Sequence, residues 1–132
     1  MCHSLRFRLF ASCIVAGAVA VGFLMPARPA GLAASPTRSA DGVPAGRWNV
    51  EFTNGVKEVC EVRKDRTASV TEPARTSTAK VEVNDGSVLF LYEDDRVERW
   101  TPVGKRMVVE HWHPGAPFPS GRPVLGIAEV AP

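Results

Sequence analysis

His111 and His113 lie two residues apart in an extended stretch, so both rings point to the same side of the chain. Imidazole nitrogens together with a carboxylate form a zinc donor set. Glu98 supplies that carboxylate if it pairs opposite His111, as derived below. A second constellation consists of Glu58, Arg99 and Glu110, which the strand pairing turns inward beside Phe90, Tyr92 and Trp112. Two carboxylates and a guanidinium inside a small protein either pair with one another or line a polar ligand pocket. A buried arginine needs carboxylate partners, and breaking such a pair costs roughly 3–5 kcal/mol. Two carboxylates can also perform acid–base chemistry. Here no nucleophile stands next to a base, and there is no glycine-rich phosphate loop, Cys-x-x-Cys pair or Ser-His-Asp order. The chemistry expected is binding, without catalysis and without a cofactor.

The elements that position these residues begin with a hairpin over Gly46–Val62. Trp48, Val50 and Phe52 alternate with Arg47, Asn49 and Glu51, the period-two pattern of a half-buried strand. A two-residue Asn54-Gly55 turn would set Glu51 against Glu58, and opposed like charges are unfavourable. A three-residue loop, Thr53-Asn54-Gly55, with Gly55 left-handed, removes the conflict. Trp48 then faces Cys60, Phe52 faces Val56, and the outer face gains Glu51–Lys57 and Arg47–Glu61. This register brings Glu58 inside, opposite Val50.

Further strands are expected over 67–72, 78–83, 88–92, 97–101, 106–113 and 124–130. Asp85-Gly86 suits a type I′ turn and Gly104-Lys105 a type II′ turn. The connection 93–96 has no glycine, which predicts a four-residue loop. That loop sets Val97 opposite Tyr92 and Arg99 opposite Phe90, and the next turn sets Arg99 opposite Glu110. Arg99 and Glu110 therefore face inward, and His111, His113 and Glu98 face outward. The outer wall then carries an apolar stripe of Leu89, Leu91, Trp100, Met107 and Val109. Such a stripe is covered by the proline-rich 114–123 loop with Phe118, or it is a partner or self-association surface. Eight short strands with tight turns predict an all-β fold, an antiparallel up-and-down meander closing into a small barrel over residues 46–132.

Gly46-Arg47-Trp48 at the start of the first strand resembles the Gly-x-Trp opening of lipocalins, avidins and related calycin barrels. The resemblance covers the first strand and the meander and implies a ligand-binding barrel. The other lipocalin motifs are absent, so no ligand-binding residue is carried over. The chain is also similar to small periplasmic metalloprotease inhibitors of calycin-like fold, which implies inhibition through the tether or a loop. Those inhibitors usually carry a disulfide.

Arg6 and Arg8, the uncharged run Leu9–Met25 and the small residues Gly31–Ala34 read as an export signal over 1–34, followed by a flexible tether over 35–45. An uncleaved membrane anchor is the alternative. Secretion or periplasmic location follows from either cleavage after Ala33 or cleavage after Ala34. Cleavage removes Cys2, Cys13 and three of the 16 basic residues, leaving 13 against 14 acidic ones, a net charge of −1. That balance excludes a nucleic-acid footprint. Cys60 is then alone, with no internal disulfide, and it reads as a small buried hydrophobe. The expected partner is a protein or a small molecule.

Overall fold

The alternating segments become eight strands: β1 (Gly46–Phe52), β2 (Lys57–Val62), β3 (Thr67–Thr71), β4 (Thr76–Asn84), β5 (Ser87–Tyr92), β6 (Val97–Val103), β7 (Arg106–Trp112) and β8 (Val124–Val130). The computed structural model describes residues 40–132; the expected signal over 1–34 and the first part of the tether lie outside the described residues. Each strand pairs antiparallel with its sequence neighbour, and β1 pairs with β8, which closes the barrel. The fold is all-β, as the period-two pattern requires.

The first hairpin has the three-residue loop. Trp48 pairs with Cys60, Val50 with Glu58 and Glu51 with Lys57. The Phe52 amide donates to the Val56 carbonyl at 2.9 Å, and Gly55 is left-handed at φ 84°. Asp85 and Gly86 both take positive φ in the β4–β5 turn, as a type I′ turn demands. At the β6–β7 turn Gly104 alone is left-handed, the type II′ pattern.

A closed meander places its turns alternately at two ends. The upper end carries the 53–56, 72–75, 93–96 and 113–123 connections; the lower end carries 63–66, 85–86 and 104–105. Between them Trp48, Phe90, Trp100, Val50, Val70, Val81 and Val109 fill the interior. Trp48 and Trp100 meet edge to face at 5.8 Å, and Phe90 packs on Trp100 at 4.5 Å. The lower end is apolar and sealed. Val43 and Pro44 are fully buried, and the Trp48 indole N–H donates to the Pro44 carbonyl at 2.9 Å. This corrects the expected tether, whose last residues belong to the barrel. The reason is apolar: Val43 gains more from the open barrel end than from water.

Gly126 on β8 shows how tightly the wall closes. A Cβ there would lie 2.7 Å from the Phe52 ring and 3.1 Å from the Glu51 carbonyl oxygen. Gly126→Ala is therefore expected to cost about 1–3 kcal/mol through overpacking at the β1–β8 seam. Urea denaturation checks this; an unchanged midpoint would contradict it.

Candidate functional site

The sequence placed the polar residues of β6 and β7 on the wrong faces, and a single loop explains why. The Tyr92 amide bonds the Arg96 carbonyl at 3.1 Å, so 93–95 is a three-residue loop, with Asp95 left-handed at φ 63° in the role Gly55 plays at the first hairpin. Aspartate tolerates this conformation better than most residues. β5 and β6 then pair Phe90 with Glu98 and Leu89 with Arg99. A shift of one residue turns a whole strand over. The β6–β7 pairing itself is the expected one, with Arg99 opposite Glu110 and Glu98 opposite His111. Both strands are inverted together.

Several expectations are corrected as a result. Arg99 and Glu110 are on the outer wall, paired at 2.6 Å and partly exposed. Trp112 is also on the outer wall, buried under the 114–123 loop. Its indole N–H donates to the Gly121 carbonyl at 2.9 Å, and Phe118 meets its ring edge to face at 4.9 Å. Trp100, Met107 and Val109 are core residues, so the supposed outer stripe keeps only Leu89 and Leu91, of which Leu89 is itself buried. The stripe therefore provides no exposed self-association surface. His111 points inward and is buried; His113, just beyond β7, is exposed, with its ring 5.0 Å from that of His111. Of the expected interior set, Glu58 and Tyr92 are inside.

The inversion assembles a different cluster at the upper end. Glu98, fully buried, accepts from the Trp100 indole N–H at 3.0 Å, and its other oxygen lies 3.0 Å from His111 Nδ1. Glu58 enters from β2, only 4% exposed. Among the described residues, Glu58 Oε2 and the Tyr92 hydroxyl are the buried side-chain polar atoms without a hydrogen-bond partner. One donor atom from each of Glu58, Glu98 and His111 lies within 4.8 Å of the other two. Burial, then the Glu98 and Glu72 carboxylates, push Glu58 up to about 8, against the pull of Arg96 and Arg75. Burial, with Glu98 and Glu58 beside it, also pushes the Tyr92 phenol far upward, so that it stays neutral. Cys60 is buried as expected, and burial, followed by Glu98 and Glu58, raises its thiol well above the ordinary range. It is a poor nucleophile there.

Arg96 borders this cluster; in the sequence it falls in the 93–96 connection, where arginines are usually solvated. It is 2% exposed. Its Nε–H donates to Asp94 at 2.8 Å, Nη1 to Glu72 at 3.0 Å and Nη2 to the Ser77 hydroxyl at 2.8 Å, while the guanidinium lies 4.3 Å over the Tyr92 ring. Burial alone would raise Glu72; hydrogen bonds and charge from Arg75 and Arg96 hold it below its ordinary value. Arg96 is thus committed to two carboxylates of its own. No sequence signal marks it before the length of the 93–95 loop is known.

Access to the cluster is through a cleft of about 150 Å³ lined by Phe52, Glu58, Glu72, Arg75, His111 and His113, among others. A larger depression of about 630 Å³ lies over β1, β2 and β8. Outward-facing charges line it, and they pair across the wall, Lys57 with Glu51 and Arg106 with Glu129. Glu58 and Val50 also border this depression, but the small cleft is the one that brings Glu58 together with His111 and His113. No family model, curated protein or solved structure matches this chain.

Proposed function

We propose that this chain is an exported, non-catalytic binding module that takes up a small ligand at the upper end of its barrel. Export is supported by the Arg6/Arg8 pair followed by the uncharged Leu9–Met25 run. Binding is supported above all by Glu58, a buried carboxyl with one oxygen that no protein group satisfies. Leaving such a group unpaired costs about 1–3 kcal/mol, a cost that purely structural residues usually avoid. The ligand is small. Aromatic side chains fill the interior, and the cleft that brings Glu58 and His111 together holds about 150 Å³, well below the roughly 300–1,000 Å³ of sites for drug-sized molecules. The depression of about 630 Å³ that Glu58 also borders is lined mostly by outward-facing side chains. The resemblance of Gly46-Arg47-Trp48 to the opening of lipocalin-type barrels is in keeping with a binding role, and the filled interior argues against a large apolar ligand.

Trp100 offers a direct reporter, since its indole N–H bonds Glu98 inside the cluster. Titrating the labelled protein with divalent cations, phosphate, small carboxylates and small amines is expected to move the Trp100 indole resonance saturably for one of these classes. Immobility with every class, together with a Glu58→Met variant less stable than the native chain, would make the cluster a structural tie and end the binding reading.

A further inference from the structure

We infer that Glu58, Glu98 and His111 form a binding site for a divalent transition-metal ion of the Zn²⁺ type. The inference rests on the binding reading above and names its ligand class.

Charge argues for it first. Two carboxylates, Glu58 and Glu98, share the interior with a single imidazole, because Arg99 lies on the outer wall with Glu110 and Arg96 is held by Asp94 and Glu72. Arg75, which also lines the cleft, is paired with the same Glu72 and Asp94, so among the described residues the cluster has no guanidinium or ammonium of its own. A divalent cation between two ionised carboxylates gives a neutral assembly, the form a low-dielectric interior tolerates.

Geometry argues for it second. Three donor atoms within 4.8 Å of one another come from three different strands, β2, β6 and β7. Donors around a tetrahedral zinc stand roughly 3.3 Å apart, so closure on a metal needs an inward movement of about 1–1.5 Å. Glu58 can supply it, since its Oε2 is bound to nothing. Glu98 is already oriented from behind by the Trp100 indole, the kind of outer partner that fixes ligating carboxylates.

Chemistry and size set the class. An imidazole with two carboxylates suits zinc and its first-row neighbours, whereas calcium and magnesium prefer six or more oxygens. The cleft admits an ion and a few waters, and His113 stands at its rim beside His111.

The test is titration of the metal-free full chain with Zn²⁺, and with Co²⁺ as a spectroscopic substitute, against Mg²⁺ as control. The expected result is saturable binding of one Zn²⁺ per chain and a Co²⁺ visible spectrum of a low-coordinate nitrogen–oxygen site. Affinity should fall at least about tenfold in Glu58→Gln and in His111→Gln, and stay unchanged in Glu82→Gln on the outer wall. Glu58→Gln keeps the side chain's shape, so its folded state can be confirmed and the loss ascribed to the donor. Absence of saturable binding at millimolar Zn²⁺, or binding undiminished by Glu58→Gln, would overturn the inference. If Zn²⁺ fails while another ligand class moves the Trp100 indole, the metal inference falls and the binding reading survives.

Discussion

Raising the pH from about 5 to about 9 is expected to cost the ligand-free protein roughly 2–4 kcal/mol of folding stability relative to a Glu58→Met variant. The sign follows from the direction of the Glu58 shift, from 4.5 to about 8. Between those values the folded chain holds a proton that the unfolded chain has released. The contribution is complete below about pH 4.5 and is lost as the pH rises through about 8, where the buried carboxyl must ionise. The groups facing it are Glu98, Glu72, Arg96 and Arg75, with His111 across the cluster. Glu58→Met leaves all of them in place, so the difference between the two proteins isolates the Glu58 carboxyl. Methionine carries no charge and leaves no oxygen unpaired, so at neutral pH the variant should also be more stable than the native chain, by about 1–2 kcal/mol. Urea unfolding at a series of pH values measures both effects. A native-minus-variant difference that is flat with pH, or that rises, would contradict the burial of Glu58.

The second large effect concerns Arg96. Arg96→Met removes the donor to Asp94, Glu72 and Ser77 and the cation over the Tyr92 ring. Breaking a buried pair by deleting one partner costs about 3–5 kcal/mol, because the carboxylates left behind are uncompensated. Against a typical stability of about 5–15 kcal/mol, that brings a domain of this size close to unfolding at physiological temperature. The two carboxylates differ: Glu72 is mostly buried, whereas Asp94 is more than a third exposed and can be resolvated. Adding Glu72→Gln should therefore recover part of the loss, and adding Asp94→Asn should recover less. A loss below about 1 kcal/mol for Arg96→Met would show that the network is solvated and does not hold the upper end together.

The barrel was legible in the sequence because its signals were local and mutually consistent. Alternation named the strands, and at the first hairpin the Glu51–Glu58 conflict selected the loop length that the structure has. At β6 and β7 the local signal misleads, because the left-handed position that usually takes glycine is filled by Asp95. A stronger signal was available. Trp100, Met107 and Val109 form the most apolar alternating set on those strands, and they belong in the core. Burying them weighs several kcal/mol more than any preference for a particular loop length. Their inward turn carries Glu98 and His111 inside with them. The pairing of Glu98 with His111 was readable, but its location inside the barrel was not. Nor was the approach of Glu58, since β2 is far from β6 and β7 around the wall and meets them only across the interior. The burial of Arg96 depends on two separate stretches, 72–77 and 92–96, meeting at one barrel end, which no local pattern encodes.

The upper end of the barrel holds a carboxyl group, Glu58, with an oxygen that the protein itself does not satisfy. The most direct measurement is the pH titration of the Glu58 side-chain carboxyl carbon by NMR in the ligand-free chain. A midpoint near pH 8 is predicted, from burial beside Glu98 and Glu72. A midpoint in the ordinary carboxylate range would mean a solvated or fully paired Glu58 and would contradict the account.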